Sequence, residues 1–250
     1  MKRAPSPVPI PVKLPVIRGF LPASLNEWDG RISAVLFLEG CNWRCPYCHG
    51  WRLVRDPASL PEIPIGEVLR VLEEETEWVD GVTITGGEPT LQPAIEALVE
   101  LFHRRGLAVK LETNGSRPRL MESLIRLGML DCLALDYKAP LAPDRLKRAS
   151  GVAEEVAAVR RSFELAASSG LELEFHTTLC PACVSLEDLP EMGRQLARIA
   201  PRARWVLQRY NPEDVLSPAE AGSASYDLSA VEAAAKELRA IYPRIEVRGF

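Results

Sequence analysis

The sequence predicts an α/β fold, an open partial (β/α)6 TIM-like barrel with parallel strands. Short β-like runs alternate with amphipathic helical segments, which implies parallel strands joined by right-handed crossovers. Polar and glycine-rich sequences recur just after those runs, where the active face of such a fold lies. The 250 residues, 47% of them hydrophobic, suffice for one large core. Six units are too few for a closed eight-fold barrel of ordinary size and enough for an open one.

The start, Met1 to Pro22, carries Pro5, Pro7, Pro9, Pro11, Pro15 and Pro22. Lacking those backbone donors, it can form neither helix nor central strand and reads as an extended arm. Ile32 to Leu38 is the first strand. Pro64 opens a helix to about Val79, with Val68, Leu69 and Leu72 at core spacing. Gly81 to Thr85 is the second strand and runs into Gly86-Gly87-Glu88-Pro89. Pro93 starts a helix whose Ile95, Leu98, Val99 and Phe102 form one apolar face.

Leu107 to Thr113 is the third strand, ended by the turn signal Asn114-Gly115, and Leu120 to Leu127 is a helix. Cys132 to Leu135 leads to Asp136-Tyr137-Lys138. A helix from about Glu154 to Ser168 precedes the strand Leu171 to Leu179, and a shorter helical stretch follows Ser185. Ala203 to Gln208 is the sixth strand. Ser229 and Glu232 read as a capping box for a last helix carrying Val231, Leu238 and Ile241, and Glu246 to Arg248 reads as an edge strand. There is no internal repeat or low-complexity block.

Composition narrows the function classes. A net charge of −4 gives no broad basic surface, so nucleic-acid binding is not expected. With no apolar run of membrane-spanning length and no apolar h-region at the start, no membrane association and a cytoplasmic location are expected. Six unevenly placed cysteines argue against a secreted disulfide scaffold and for metal or redox chemistry in a reducing compartment.

The chemistry concentrates in Cys41-Asn-Trp-Arg-Cys45-Pro-Tyr-Cys48, just after the first strand. Thiolates this close can turn inward from one loop and grip a small inorganic core. A four-iron cluster in an electron carrier takes four cysteines, so three leave one iron open to a reacting ligand. Zinc is the alternative, but a closed zinc site needs four protein ligands, and His49, adjacent to Cys48, is an awkward fourth.

Gly86 and Gly87 allow close backbone approach to a ligand, or simply make a turn. Asp136 and Lys138 alternate on a strand end and can face one pocket, or form an exposed ion pair. Cys180-Pro-Ala-Cys183 reads as a redox pair, half a metal site or free thiols, with Cys132 a further spare thiol.

Taken together, these motifs resemble the radical S-adenosylmethionine superfamily. Phe37-Leu-Glu-Gly-Cys-Asn-Trp-Arg-Cys-Pro-Tyr-Cys-His49, Thr85-Gly-Gly-Glu-Pro-Thr-Leu91, Glu112-Thr-Asn-Gly115 and Leu135-Asp-Tyr-Lys-Ala-Pro140 are similar to the activating proteins of anaerobic ribonucleoside-triphosphate reductase. The resemblance spans roughly Gly19 to Gln208. It implies an arm over residues 1–22 and a radical S-adenosylmethionine partial-barrel domain over 23–250. It also implies an oxidoreductase that reductively cleaves S-adenosylmethionine at a [4Fe-4S] cluster, the resulting 5'-deoxyadenosyl radical taking a hydrogen from a glycine of a partner enzyme, the anaerobic ribonucleotide reductase. The electron would come from a donor such as flavodoxin or ferredoxin. An enzyme acting on a small molecule, such as a nucleotide-precursor ring contraction, and a non-catalytic metal-binding module are the alternatives.

By the same resemblance, Cys41, Cys45 and Cys48 hold the cluster and the open iron chelates the methionine moiety. Glu88 accepts from its ammonium group beside Gly86 and Gly87, Tyr47 lies against the adenosine and Trp43 shields the cluster. Asp136 and Lys138, with Glu112, Thr113 and Asn114 on the preceding strand end, complete the cofactor contacts and a possible monovalent cation site. Glu112 stands where the pattern has Asp, and the extra methylene displaces its carboxylate by about a bond length, against direct coordination. His176 stands where relatives carry Arg, which makes a carboxylate contact there weaker and pH-dependent.

Overall fold

The computed structural model describes residues 13–74, 78–153 and 156–249. In chain order the elements are β1 (Ile17–Ser24), β2 (Ser33–Leu38), α1 (Trp51–Arg55), α2 (Ile65–Glu74), β3 (Gly81–Gly86), α3 (Ile95–His103), β4 (Ala108–Thr113), α4 (Pro118–Leu127) and β5 (Cys132–Asp136). They continue with α5 (Pro143–Ser150), α6 (Val156–Ser168), β6 (Glu172–Leu179), α7 (Leu189–Ile199), β7 (Arg204–Arg209), α8 (Pro218–Ala221), α9 (Leu228–Leu238) and β8 (Ile245–Arg248). All strands share one sheet whose spatial order is the sequence order. β1 pairs antiparallel with β2, and each neighbouring pair from β2 to β8 is parallel. The sheet curls without closing, an open partial barrel.

The expected strands appear within a residue or two, and other features depart from expectation, among them the short helices α1 and α8. The end of the proline-rich arm is β1, and Pro22 is tolerated because it falls where the β1–β2 register shifts between Leu21 and Ser24; residues 1–12 of the arm lie outside the described residues. The helix α5 was not anticipated: it buries Leu146, Ala149 and Ser150 and is otherwise polar, too little periodicity to read. The capping box at Ser229 is absent, because α9 already begins at Leu228 with Asp227 at its N-cap. Residues 75–77 and 154–155, which the expected helices 64–79 and 154–168 include, also lie outside the described residues.

Two layers follow from the period-2 alternation of the strands. Val109, Leu111, Leu133, Leu135, Phe175 and Trp205 are buried in the apolar core. Several of the alternate residues, among them Lys110, Glu112, Glu174 and Arg204, are charged and point into the barrel. Lys110 of β4 reaches Glu174 of β6 at 3.0 Å across the intervening β5, which is possible only on the concave side. Thr83 donates to Ser33 at 3.1 Å on that same side.

The base of the barrel is plugged by the loop between β1 and β2. Trp28, fully buried, donates its indole N–H to Glu172 at 3.2 Å. Lys110 donates to the Glu27 carbonyl at 2.5 Å, while Asp29 pairs with Arg204 and, at 3.1 Å, with Arg248. The interior therefore opens at the carboxyl ends of the strands.

Candidate active site at the carboxyl ends of the strands

The loop after β2 is held by its backbone, which leaves its sulfurs to face inward. Gly40, at φ +76°, turns the chain out of β2 and donates to Leu53 carbonyl at 2.7 Å. Arg44 donates its N–H to the Ser150 carbonyl at the end of α5 (2.7 Å), and its guanidinium returns to the carbonyls of Cys41 (2.6 Å) and Trp43 (2.7 Å). From the far side, Ser217 and Leu216 donate to the carbonyls of Pro46 and Cys48 at 2.9 and 3.1 Å.

The end of β3 docks against this loop, and the glycine pair is what permits it. Gly86 has φ +123°, and a Cβ there would sit 2.3 Å from the Leu38 nitrogen; one on Gly87 would sit 1.8 Å from the Gly40 carbonyl oxygen. Gly87 and Glu88 then donate to the carbonyls of Leu38 and Gly40 at 2.8 and 2.7 Å.

Glu88 differs from expectation. Its carboxylate is buried and already taken by protein donors: the Thr90 N–H and hydroxyl, the Thr113 hydroxyl at 2.6 Å and the Asn114 N–H at 2.7 Å. Burial raises its pKa, and those donors oppose the shift. It welds the end of β3 to the end of β4. Thr113 and Asn114 are tied to that weld; the Asn114 amide also donates to Asn42 at 3.0 Å and lies 3.9 Å from the Cys41 sulfur.

Cys41, Cys45, Cys48, Trp43, Tyr47, Gly86, Gly87, Asn114, Asp136 and Lys138 line one cavity of about 320 Å³. Burial pushes the thiol of Cys41 up to about 11 and that of Cys45 up to about 12, and raises Cys48 as well. Lys138 is the cation beside them, 3.0 Å from Asp136 and 5.6 Å from the centre of the Tyr47 ring. Burial alone would lower its pKa; Asp136 and the surrounding acidic groups hold it well above the usual lysine value. With 14% of its side chain exposed, it is not the open surface ion pair considered from sequence. The Tyr47 hydroxyl is buried without a hydrogen-bond partner among the described residues.

Two further cavities adjoin. A polar one of about 110 Å³ is lined by Glu112, Asp136 and His176, and shares Thr85, Gly86, Gly87 and Asn114 with the first. A wider one of about 540 Å³ shares His49, Thr178 and Gln208 and runs out past Arg209 and Asn211. His176 donates or accepts through Nε2 at 2.9 Å from Glu174, which anchors it to the charged layer below. Cys132 lies low on β5, whereas Cys180 and Cys183 are buried on the turn after β6. Sequence reasoning missed Arg44 and the segment Leu216–Ser217; the latter acts through backbone alone and carries no side-chain signature.

The donor set discriminates between one metal ion and a cluster. A single zinc at about 2.3 Å from each sulfur draws thiolates to within about 4 Å of one another. Among the described residues, the only such trio with ligand atoms mutually within 4.8 Å is Cys132, Glu172 and Glu174, not the three loop thiols. In that trio Glu174 is already bonded to Lys110 and Arg204. Among the described residues the three loop thiols are not gathered as closely as one zinc ion would hold them.

Comparison with known proteins agrees. Over 204 residues the chain is 26% identical to a Methanocaldococcus jannaschii protein named as a glycyl-radical enzyme activating enzyme, covering 80% of this chain and 81% of that one. It is 34% identical over 134 residues to the 7-carboxy-7-deazaguanine synthase of Methanopyrus kandleri, covering 46% of this chain and only 52% of the synthase. Streptococcus suis SuiB, solved with its precursor peptide SuiA, shares the fold at TM-score 0.68 and 15% identity over 86% of this chain and 48% of that structure. No helix among the described residues is long and apolar enough to cross a membrane. The Radical SAM superfamily model, whose cofactors are a [4Fe-4S] cluster and S-adenosylmethionine, matches residues 35–194, and the chain is an enzyme of that superfamily.

Proposed function

We propose that the enzyme is an activase that generates a glycyl radical on a partner protein, the anaerobic ribonucleoside-triphosphate reductase, using flavodoxin or ferredoxin as electron donor. One observation carries this reading: the thiol cavity runs on into the open 540 Å³ lobe, along which His49, Arg209, Asn211 and Gly249 are exposed. A loop of another protein can reach the reacting centre there while the cofactor fills the inner cavity. The near full-length likeness to the archaeal activating enzyme supports it.

Within this reading Cys41, Cys45 and Cys48 hold the cluster, which when bound supplies the electron that splits S-adenosylmethionine. Gly86 and Gly87 bring the end of β3 against the methionine moiety, Lys138 and Asp136 contact its charged groups, and Tyr47 lies along the adenosine. Glu88, Thr113 and Asn114 position these groups rather than offering free charge to the ligand. A monovalent cation beside Glu112 and Asp136, which line the 110 Å³ cavity, belongs to this reading; potassium dependence of cofactor affinity tests it. Mixing reduced, reconstituted enzyme, S-adenosylmethionine and the reductase should give a glycyl doublet by electron paramagnetic resonance. Cofactor cleavage with no such signal sinks the assignment of that partner.

The likeness to a 7-carboxy-7-deazaguanine synthase favours a second reading, chemistry on a small heterocycle. A low-mass product formed without any partner protein would select it.

A further inference from the structure

Cys180 and Cys183 lie side by side on the turn after β6. The Cys180 carbonyl accepts from the N–H of Cys183 at 2.9 Å and of Val184 at 2.8 Å. Residues spanning such a turn have Cα atoms within about 7 Å, which overlaps the window of about 4.4–6.8 Å that a disulfide needs. Both thiols are buried on this one turn, separated by two residues in a Cys-Pro-Ala-Cys sequence. A turn of this kind is compatible with a disulfide between its ends.

Their surroundings connect the pair to the cluster loop. The Cys180 sulfur lies 3.4 Å from the carbonyl of Ala221, in the same 210–222 segment whose Leu216 and Ser217 hold Cys48 and Pro46. The Cys183 sulfur lies 3.8 Å from the carbonyl of Arg148 in α5, the helix whose Ser150 carbonyl receives Arg44. Each thiol therefore touches one of the two segments that clamp the loop.

We propose that Cys180 and Cys183 form a redox-active dithiol that exchanges with low-molecular-weight disulfides and, when oxidised, loosens the clamp on the cluster loop. One cysteine thiolate attacks a sulfur of oxidised glutathione and expels one glutathione thiolate. The second attacks the mixed disulfide and expels the other. The protein loses two electrons and two protons, both carried away in two molecules of reduced glutathione. The Ala221 and Arg148 carbonyls then lose their sulfhydryl neighbours. Because both thiols are buried, exchange proceeds through local opening of the 210–222 segment, whose only helix is the four-residue α8.

Trypsin releases residues 162–194, which contain these two cysteines and no others. The folded full-length protein, equilibrated with glutathione buffers of increasing oxidation and then alkylated, should yield this peptide about 2 Da light and unalkylated at the oxidising end. Two alkyl groups retained at every ratio, or a stable glutathione adduct, would overturn the proposal. Hydrogen exchange of residues 41–50 and 211–222 should become roughly tenfold faster in the oxidised protein. Unchanged exchange with the disulfide formed would overturn the coupling to the loop. A Cys180→Ser variant should show neither response, and a loop response that persists in it would equally refute the assignment.

Discussion

At the base of the barrel, Lys110, Glu174, Arg204 and Asp29 answer one another charge for charge, beneath the buried Trp28. Higher on the same strands, the mouth turns groups toward a cavity: the three thiols of the loop, a tyrosine hydroxyl with no hydrogen-bond partner among the described residues, and a lysine leaning on one aspartate. Both regions are polar interiors of one sheet. The difference is that the base pairs its charges within the protein, while the mouth, apart from the saturated Glu88, turns thiols and a buried hydroxyl toward a cavity. Internal saturation marks structure, and polar groups left facing a cavity mark function.

The sharpest way to break that contrast is to alter one residue in each region. Alanine at Cys41, Cys45 or Cys48 should abolish cofactor cleavage and lower bound iron, yet move the melting temperature of the metal-free protein little; a large loss of metal-free stability would make the loop structural. Glu174→Leu should do the opposite. It removes the closest carboxylate from the buried Lys110, leaving it Glu112 at 3.6 Å and the Glu27 carbonyl, and takes a partner from Arg204, at a cost of about 3 kcal/mol in denaturant unfolding. Gly87→Ala joins the two behaviours, since its Cβ would collide with the Gly40 carbonyl; we expect roughly 1–3 kcal/mol of strain together with poorer iron retention.

Acid titration sharpens the contrast further. Burial alone would raise the Glu174 pKa, but His176 and Lys110 hold it well below the usual carboxylate range. A group depressed on folding contributes stability that is present at neutral pH and is lost as pH falls through its folded value. Unfolding free energy should therefore fall from about pH 4.3 downward, and more steeply in the parent than in Glu174→Gln. The smallest effect belongs to neither region: Ser229→Ala should change stability by less than about 0.5 kcal/mol, because Ser229 caps nothing.

The outer layer of the barrel was legible because its apolar residues repeat with recognisable periods. The inner layer was written in the same strands, as Val109-Lys110-Leu111-Glu112 or Leu173-Glu174-Phe175-His176, and its alternation was readable. What could not be read was the pairing, since Lys110 and Glu174 are 64 residues apart and meet only once the sheet curls. At the mouth, the thiols and the glycine pair were legible as motifs. The collisions that make those glycines necessary, and the saturation of Glu88 by Thr90, Thr113 and Asn114, depend on how close two loops come. α5 was hidden by its polarity, and the Leu216–Ser217 contact by being made of backbone alone.

The clamp formed by Leu216 and Ser217 on Cys48 and Pro46 also sets a timetable for biosynthesis. Strands that pair in sequence order can be laid down one after another as a chain emerges from the ribosome. The cysteine loop emerges well before the backbone groups of Leu216 and Ser217 that hold it, which are encoded some 170 residues later. A fully clamped site exists only after β7 has been translated, so iron delivered earlier meets an unfinished cradle.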